Sequence, residues 1–308
     1  MPYQTIRKET EITSAAVYDE PNGFMAHFNF ITNRNTARWK FKSNCVTLQY
    51  QHLTNFRATP RIMPMWNPWH GCHKISAGCR HCYVYREDAA FGTSIPTTEI
   101  RKTSSFNLPI KRDRNRNWKF AAGTEFALCF TSDFLLEEAD GWRDDIWRIM
   151  RTRQDCRFFF FTKRIERLKH CLPADWGNGY DNVAIGCTVE NQDRADCRLP
   201  VFLSLPIKHR LVVVAPMLEK INLRQYLAPD IIEEVSVGGE SGKYARTLDF
   251  DWVLDMHSQC RDADIPFIFH QTGSYLRKDG KVFHIPRCHQ HSQAQKAGLN
   301  TIKHAKIE

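Results

Sequence analysis

Residues 66–83 read WNPWHGCHKISAGCRHCY and place three cysteines within eleven residues. Six residues separate Cys72 from Cys79, and two residues separate Cys79 from Cys82. A glycine stands directly before each of the first two cysteines, and glycine permits the tight turns that a loop needs to point all three thiolates inward. The stretch therefore predicts a compact metal-binding loop.

Three thiolates suit two kinds of metal centre. One is a 4Fe-4S cluster in which one iron has no protein ligand; the other is a zinc ion completed by a histidine, for which the candidates are His70, His73 and His81. A structural zinc site usually draws on two separated ligand pairs, whereas these cysteines form one triplet. The triplet also follows a predicted strand, and active sites of β/α barrels form at the carboxyl ends of strands. The pattern favours the iron-sulfur cluster and leaves zinc as the alternative.

The rest of the sequence predicts the barrel itself. From residue 125 onward, apolar runs rich in β-branched and aromatic residues alternate with helix-like stretches, as in repeated βα units. The runs are nearly continuous in apolar residues, as strands covered on both faces must be. The predicted strands are residues 63–69, 125–131, 157–162, 182–189, 210–215, 234–238 and 266–271. The fold class is therefore α/β, a partial (β/α) barrel of six to seven parallel strands.

Composition and charge limit the class of protein. The chain has 308 residues, of which 42% are hydrophobic, enough for a substantial core. It lacks a run of about 18 apolar residues and a basic-then-apolar start, which predicts a cytoplasmic protein without a membrane span. Its eleven cysteines are then interpreted as reduced thiols. A formal charge of +9 fits nucleic acid as a partner, or a solvated basic surface.

Three regions differ in their sequence pattern. Residues 1–62 have mixed polarity without a sustained period and are interpreted as an N-terminal extension. Residues 63–287 contain the predicted barrel, and residues 288–308 form a basic C-terminal tail. The sequence therefore predicts one barrel domain with two flanking segments.

Four motifs occur in a fixed order: the cysteine stretch, FTKR at residues 161–164, TVENQ at 188–192 and GGESG at 238–242. In these motifs the chain resembles, from about Met63 to Arg287, the uncharacterised phage and prophage protein family labelled phage proteins thirty-seven and sixty-eight. That family is similar to radical S-adenosylmethionine enzymes, whose partial β/α barrel carries a cluster loop after its first strand. The resemblance implies a 4Fe-4S cluster and S-adenosylmethionine as cofactors. It also implies a reductant protein such as flavodoxin or ferredoxin, and allows for a partner encoded by a neighbouring gene.

The chain departs from the common pattern of radical enzymes in two places. Those enzymes usually space their cysteines by three and two residues, with an aromatic residue before the last one. Here the first gap is six residues and His81 fills the aromatic position. Many relatives also carry Glu-Pro where this chain has Ala215-Pro216. A role that depends on that glutamate is therefore not expected here.

The resemblance implies that polar residues at the strand ends bind S-adenosylmethionine. The candidates are Ser132 and Asp133 for the methionine ammonium, Glu190 and Asn191 for the ribose, and Gly238, Gly239 and Glu240 for the adenine or the substrate. An anionic substrate group would be bound by Lys163 and Arg164, with Gln271 at the same mouth. Each group also has a structural interpretation, as a helix cap, a turn or a salt bridge along the barrel rim.

The sequence therefore predicts a radical S-adenosylmethionine-type enzyme that cleaves S-adenosylmethionine reductively and acts on an unknown substrate, with nucleic acid or a nucleotide as a candidate. Two alternatives explain the same cysteines. One is a zinc-stabilised nucleic-acid-binding protein without catalysis, and the other is an iron-sulfur redox or repair factor.

Overall fold

The structure is a computed structural model of the chain and describes residues 13–19, 24–30 and 63–301. The chain forms two compact units, Met1–Val46 and Thr47–Glu308. In the first unit, β1 (Thr13–Asp19) pairs with β2 (Phe24–Phe30) in an antiparallel hairpin. These residues lack a sustained polar–apolar period, so the hairpin was not predicted from the sequence.

A seven-stranded parallel sheet forms the centre of the second unit. Its strands are β3 (Met65–Trp66), β6 (Glu125–Leu128), β7 (Arg157–Thr162), β8 (Val183–Thr188), β9 (His209–Val214), β10 (Glu234–Gly238) and β12 (Phe267–Gln271). The spatial order is β12-β10-β9-β8-β7-β6-β3, and every neighbouring pair is parallel. Strands that follow one another in this sheet are therefore adjacent, as in a barrel of βα units.

The sheet curls into part of a barrel. Its two edge strands, β3 and β12, are not paired with each other. Cys129, which follows β6, and His270, in β12, nevertheless line the same cavity. The predicted α/β fold with six to seven parallel strands in a partial barrel is confirmed.

Helices connect the strands and cover the outer face of the sheet. They are α1 (Tyr83–Phe91), α2 (Asp140–Thr152), α3 (Leu168–Cys171), α4 (Gln192–Ser204), α5 (Phe250–Asp262) and α6 (Gln290–Lys296). Short 3₁₀ turns lie at Ala77–Cys79, Leu108–Ile110, Glu137–Ala139, Ile165–Arg167 and Arg287–His289. Among the described residues, no helix is long and apolar enough to cross a membrane.

The aromatic residues of β7 show how the sheet separates two apolar regions. Successive side chains of a strand point to opposite faces. Phe160 packs in the large core toward the helices, with its ring centroid 6.4 Å from that of Trp147 in α2. Phe159 and Phe161 belong to the opposite face, where their rings lie 5.7 and 5.4 Å from the ring of Phe130. The continuous apolar run thus follows from burial on both faces.

Two of the predicted strands are shorter than expected by three residues or more. The run 125–131 leaves the sheet after Leu128, because Cys129 adopts a left-handed backbone with φ of 59°. The run 63–69 divides at Asn67-Pro68, since proline has no N–H to donate to a ladder. Its second part forms β4 (Trp69–His70), which pairs with β5 (Arg101–Lys102).

A second small sheet and the C-terminal segment lie beside β12. The sheet consists of β11 (Leu248–Asp249), β13 (Tyr275–Lys278) and β14 (Lys281–His284). Beyond α6, Asn300 Oδ1 accepts a hydrogen bond from the backbone N–H of Phe269 at 2.8 Å, and Thr301 Oγ1 accepts one from Phe267 at 2.9 Å. The C-terminal segment that was assigned to a basic tail therefore packs, up to Thr301, against the edge strand β12.

Candidate metal centre

The three cysteines of the loop at residues 71–82, the cysteine loop, line one cavity of about 170 Å³ at the carboxyl edge of the parallel sheet. Cys72 lies just after β4, Cys79 ends a 3₁₀ turn, and Cys82 directly precedes α1. Polar and thiol groups from the strand ends line the same cavity, namely Cys129, Ser132, Asp133, Thr162, Lys163, Arg164, Thr188, Ser236 and His270. The structure therefore brings the cysteines together with several of the predicted strand-end residues.

The two glycines of the cysteine loop are needed for different reasons. Gly71 has a φ of 101°, and a Cβ atom there would lie 2.7 Å from the carbonyl oxygen of Thr97. Gly78 lacks this left-handed backbone, but a Cβ atom there would lie 3.0 Å from side-chain carbons of Glu190. The first glycine thus permits the bend, whereas the second permits close contact with the sheet.

The three thiols of the cysteine loop are the donors of a candidate metal centre. Cysteine thiolates are the ligands of iron-sulfur clusters and of zinc. Among the residues that the structure describes, no three His, Cys, Asp or Glu side chains are grouped so that they could hold one metal ion. A zinc ion needs every sulfur about 2.3 Å from one point, whereas a four-iron cluster can bind each thiolate through a different iron. The donor set therefore suits both kinds of centre, and metal content distinguishes them.

Positive groups stand beside the thiols. Burial, with a smaller contribution from Asp133, raises the pKa of Cys72 to about 12, although Arg164 opposes the shift. Burial also raises the pKa of Cys82, and Lys163 opposes that shift. Because the thiolate is the metal-binding form, the cavity needs added positive charge to hold three of them. A metal cluster would supply that charge, with two cationic side chains already in place.

Asp133 is occupied by hydrogen bonds from this chain. Its Oδ1 accepts from Thr162 Oγ1 at 2.8 Å and from the backbone N–H of Leu135 at 2.9 Å. Its Oδ2 accepts from the backbone N–H of Lys163 at 3.1 Å and from Arg164 Nη1 at 3.2 Å. A carboxylate has about four acceptor sites, and all four are used. Asp133 therefore organises the ends of β6 and β7.

Arg164 connects this strand-end network to the cysteine loop. Its Nη2 donates to the carbonyl oxygen of His73 at 2.7 Å, and its Nη1 lies 3.8 Å from Cys72 Sγ. The side chain is buried and forms an ion pair with Asp133. This planar guanidinium can hold several acceptors at fixed angles. Arg164, which was predicted to bind substrate, thus makes the first of three contacts that hold the cysteine loop against the sheet.

Glu190 makes the second such contact. Its Oε1 accepts from the backbone N–H of Gly78 at 3.4 Å, and its Oε2 accepts from Arg198 Nη1 at 2.7 Å. Both side chains of the ion pair are almost fully buried. Arg198 also donates to the carbonyl oxygen of Thr188 at 2.8 Å, which fixes it to the end of β8. The adjacent Asn191 caps α4 by accepting from the backbone N–H of Arg194 at 3.0 Å.

Glu240 makes the third contact through an arginine. Arg246 donates to Glu240 from its backbone N–H, its Nε and its Nη2, at 2.9, 3.0 and 2.6 Å. The same Nη2 donates to the carbonyl oxygen of Ala77 in the cysteine loop at 2.9 Å. Next to it, Arg86 of α1 donates to the carbonyl oxygen of Ser241 at 2.5 Å. The motifs FTKR and TVENQ therefore contact the cysteine loop directly, and GGESG does so through Arg246.

The remaining predicted residues occupy defined positions near the cavity. Ser132 Oγ donates to the carbonyl oxygen of Gly71 at 2.5 Å, and Gln271 Nε2 donates to that of Gly239 at 2.7 Å. A Cβ atom on Gly238 would lie 2.3 Å from the ring of His270, and one on Gly239 would lie 2.3 Å from the carbonyl oxygen of Thr272. Both glycines therefore allow the end of β10 to pack closely on neighbouring protein atoms.

Several residues of the site were not predicted. Cys129, Ser236 and His270 line the cavity, and burial together with His291 lowers the pKa of His270 to about 3. Arg198 and Arg246 hold the two glutamates. Side chains alternate between the two faces of a strand, so Ser236 could have been predicted from its position two residues before Gly238. Nothing in the sequence predicts the ion pairs of Arg198 with Glu190 and of Arg246 with Glu240.

Comparison with known proteins identifies the family. A model of an uncharacterised family, described as protein of unknown function (DUF5131), matches residues 61–306. No curated protein and no solved structure matches the chain.

Proposed function

We propose that this chain, which belongs to the DUF5131 family, is an iron-sulfur enzyme of the radical S-adenosylmethionine type. Cys72, Cys79 and Cys82 would hold a 4Fe-4S cluster. The observation that carries the proposal is the position of the three cysteines, which line the same cavity as the carboxyl ends of the parallel strands. Ligand sites of β/α barrels form at that edge.

A bound cluster and S-adenosylmethionine would together supply reductive cleavage of the sulfonium, which yields methionine and a 5′-deoxyadenosyl radical. The protein's part is to hold the cysteine loop in one position and to keep the cavity apart from bulk water. Arg164, Glu190 and Arg246 each make a direct contact to backbone atoms of that loop. In this proposal the geometry of the metal site depends on these contacts, and the cofactor binds to other groups of the cavity.

The acids predicted to bind the cofactor also accept hydrogen bonds from this chain. Asp133, Glu190 and Glu240 already accept hydrogen bonds that hold the cysteine loop. Lys163 and Ser236 line the cavity and contribute an ammonium group and a hydroxyl group. We assign the S-adenosylmethionine carboxylate to the neighbourhood of Lys163, because it is a cation beside Cys82.

The zinc alternative would use the same three thiols with a histidine as the fourth ligand, and metal content separates it from the iron-sulfur proposal. A redox or repair factor would use the same cluster without cleaving S-adenosylmethionine. A reductant such as flavodoxin or ferredoxin would serve either iron-sulfur function.

The decisive experiment combines metal content and product formation. Protein purified anaerobically and reconstituted with iron and sulfide should contain about four irons per chain. After reduction with dithionite it should convert S-adenosylmethionine to 5′-deoxyadenosine, detected by mass spectrometry. The variant Cys72→Ala should lose both properties, while Cys197→Ala, which changes an exposed cysteine, should keep both. Stoichiometric zinc without iron uptake, or iron without 5′-deoxyadenosine, would reject the proposal in favour of the corresponding alternative.

A further inference from the structure

A short hairpin in front of β6 concentrates positive charge. Residues 111–119 read KRDRNRNWK, in which five cations and one acid give a formal charge of +4, whereas the whole chain of 308 residues carries +9. We call this segment the basic hairpin. Every residue from 111 to 117 is exposed. Nearly half of the net charge therefore lies on one small segment that is open to solvent.

Backbone pairing makes the basic hairpin a two-stranded ribbon. Arg112 and Trp118 face each other in an antiparallel bridge, and the backbone N–H of Lys119 donates to the carbonyl oxygen of Lys111 at 2.9 Å. Because side chains alternate between the two faces of a ribbon, Lys111 and Lys119 share one face, and Arg112 and Trp118 share the other. The turn at residues 114–116 forms the tip, with an arginine at each end.

A buried arginine fixes the ribbon to the barrel. Arg153 is fully buried and donates to the carbonyl oxygens of Pro109 and Phe120, on either side of the basic hairpin, at 2.5 and 2.7 Å. The centroid of the Trp118 ring lies 5.0 Å from the guanidinium carbon of Arg153 and 3.7 Å from that of Arg112. The ribbon is therefore held in one position, so that a partner can bind its cations at a small cost in conformational entropy.

The cations of the basic hairpin lack ion-pair partners. Within the described part of the chain, none of the five is paired with a carboxylate. The one acid, Asp113, serves the turn, since its Oδ1 accepts from two backbone N–H groups there at 2.8 and 2.9 Å. Other exposed arginines do have aspartate partners, at 2.6 Å for Arg148, 2.8 Å for Arg224 and 3.2 Å for Arg261. Like charges opposite each other destabilise a ribbon, so this arrangement fits an anionic partner.

We infer that the basic hairpin binds the phosphate backbone of duplex DNA. A two-stranded ribbon fits the major groove of B-DNA, which is about 12 Å wide, and cations on both faces and at the tip then meet phosphates on either side. The exposed residues 111–117 include no aromatic ring that could stack on an unpaired base. A duplex also carries more phosphate per length than a single strand. Such binding needs neither a cluster nor S-adenosylmethionine, so it stands apart from the proposed function.

The test measures binding of the full chain, with and without reconstituted cluster, to fluorescein-labelled DNA of about 20 base pairs. Fluorescence anisotropy is recorded for the duplex and for one of its strands between about 50 and 200 mM salt, with polyglutamate as a competitor. The hairpin variant is Lys111→Ala/Lys119→Ala. The matched control is Lys278→Ala/Lys281→Ala, which removes two exposed lysines that also face each other, on the hairpin of β13 and β14.

We expect the duplex to bind more tightly than the single strand. The hairpin variant should weaken duplex binding roughly 2- to 30-fold, as the loss of two exposed ion pairs does. It should also flatten the dependence of log K on log salt by about 0.9 for each lost phosphate contact. Arg114→Ala at the tip should act in the same direction. The control variant should match the wild type, and all variants should keep its melting temperature because the changed side chains are exposed.

Four results would overturn the inference. Absence of duplex binding at about 50 mM salt would exclude a DNA-binding surface. Equal weakening by the control variant would assign the binding to overall charge. Tighter binding of the single strand would indicate contacts with unpaired bases, and displacement of DNA by polyglutamate as readily as by unlabelled duplex would indicate an acidic protein as the partner. Since binding is measured without S-adenosylmethionine, it can succeed or fail independently of 5′-deoxyadenosine formation.

Discussion

The carboxylate of Glu190 accepts a hydrogen bond from the backbone N–H of Gly78, although Glu190 lies 112 positions later in the sequence. A Cβ atom on residue 78 would come within 3.0 Å of the Cγ and Cδ atoms of Glu190. The glutamate cannot move aside easily, because its other oxygen is paired with buried Arg198 at 2.7 Å. The end of β8 and the middle of the cysteine loop therefore fit together as one rigid contact.

Gly78→Ala should lower cluster binding while leaving the barrel folded. The new methyl group must displace either the cysteine loop or the buried ion pair, which should cost about 1 to 3 kcal/mol. We expect iron content after reconstitution to fall well below that of the wild type, with a modest drop in melting temperature. Gly141→Ala is the control, since a Cβ atom at that helical position meets nothing within 4 Å. Full iron content in Gly78→Ala would show that the contact is unimportant.

Arg164→Lys should accelerate loss of the cluster although it keeps the positive charge. A lysine cannot reach both Asp133 and the carbonyl oxygen of His73, which Arg164 contacts at 3.2 and 2.7 Å. Loss of one charge-assisted hydrogen bond costs about 1.5 to 3 kcal/mol, so release of iron to a chelator should be at least about tenfold faster. Arg148→Lys changes an exposed arginine and serves as the control. Equal release rates in both variants would contradict the role of Arg164.

The strands could be predicted because burial on both faces leaves a continuous apolar signal. The predicted bounds of β7 and β10 coincide with Arg157–Thr162 and Glu234–Gly238. The end of β6 could not be predicted, since Cys129 adopts a left-handed backbone that nothing in its side chain requires. The apolar pattern continues past it, and only the tertiary structure shows the turn.

The location of the site was predictable, whereas the contacts of its acids were not. Parallel strands place their carboxyl ends at one edge, so polar residues after each apolar run were expected to gather there. Whether such an acid faces a ligand or an arginine depends on distant partners. Glu240, for example, is held by Arg246, and that arginine reaches Ala77 across 169 residues of sequence. A single sequence carries no signal for such pairs.

Glu234→Gln should stabilise the protein at neutral pH. Glu234 is almost fully buried, neither of its oxygens has a hydrogen-bond partner within the described part of the chain, and burial raises its pKa well above the usual value, with Glu125 and Glu233 adding to the shift. Above pH 4.5 the unfolded chain loses this proton while the folded chain keeps it, so the residue lowers stability as pH rises.

The stabilisation by Glu234→Gln should therefore grow with pH. We expect a small difference in the free energy of unfolding at pH 5 and a gain on the order of 1 to 3 kcal/mol at pH 8, measured by urea denaturation. Glu137→Gln, at a side chain that is 80% exposed, should change little at either pH. A difference that is independent of pH would mean that Glu234 is ionised in the folded protein.

Cys129→Ala should retain the cluster, whereas Cys72→Ala, Cys79→Ala and Cys82→Ala should lose it. Cys129 lines the same cavity as the other three cysteines, so it must be tested as a fourth ligand. Its backbone N–H donates to the carbonyl oxygen of Trp66 at 3.0 Å, which fixes it at the end of β6 rather than on the cysteine loop. We therefore expect three protein ligands and one iron open to S-adenosylmethionine.

The measurements are iron and sulfide content and the electron paramagnetic resonance spectrum of the reduced cluster with and without S-adenosylmethionine. In Cys129→Ala we expect about four irons and a spectrum that changes on addition of S-adenosylmethionine, as in the wild type. Cys156→Ala removes another buried cysteine and controls for lost packing. Suppose that Cys129→Ala loses iron and that S-adenosylmethionine does not change the wild-type spectrum. All four irons would then have protein ligands. The chain would then be an electron-transfer or repair factor, because no iron would be open to the cofactor.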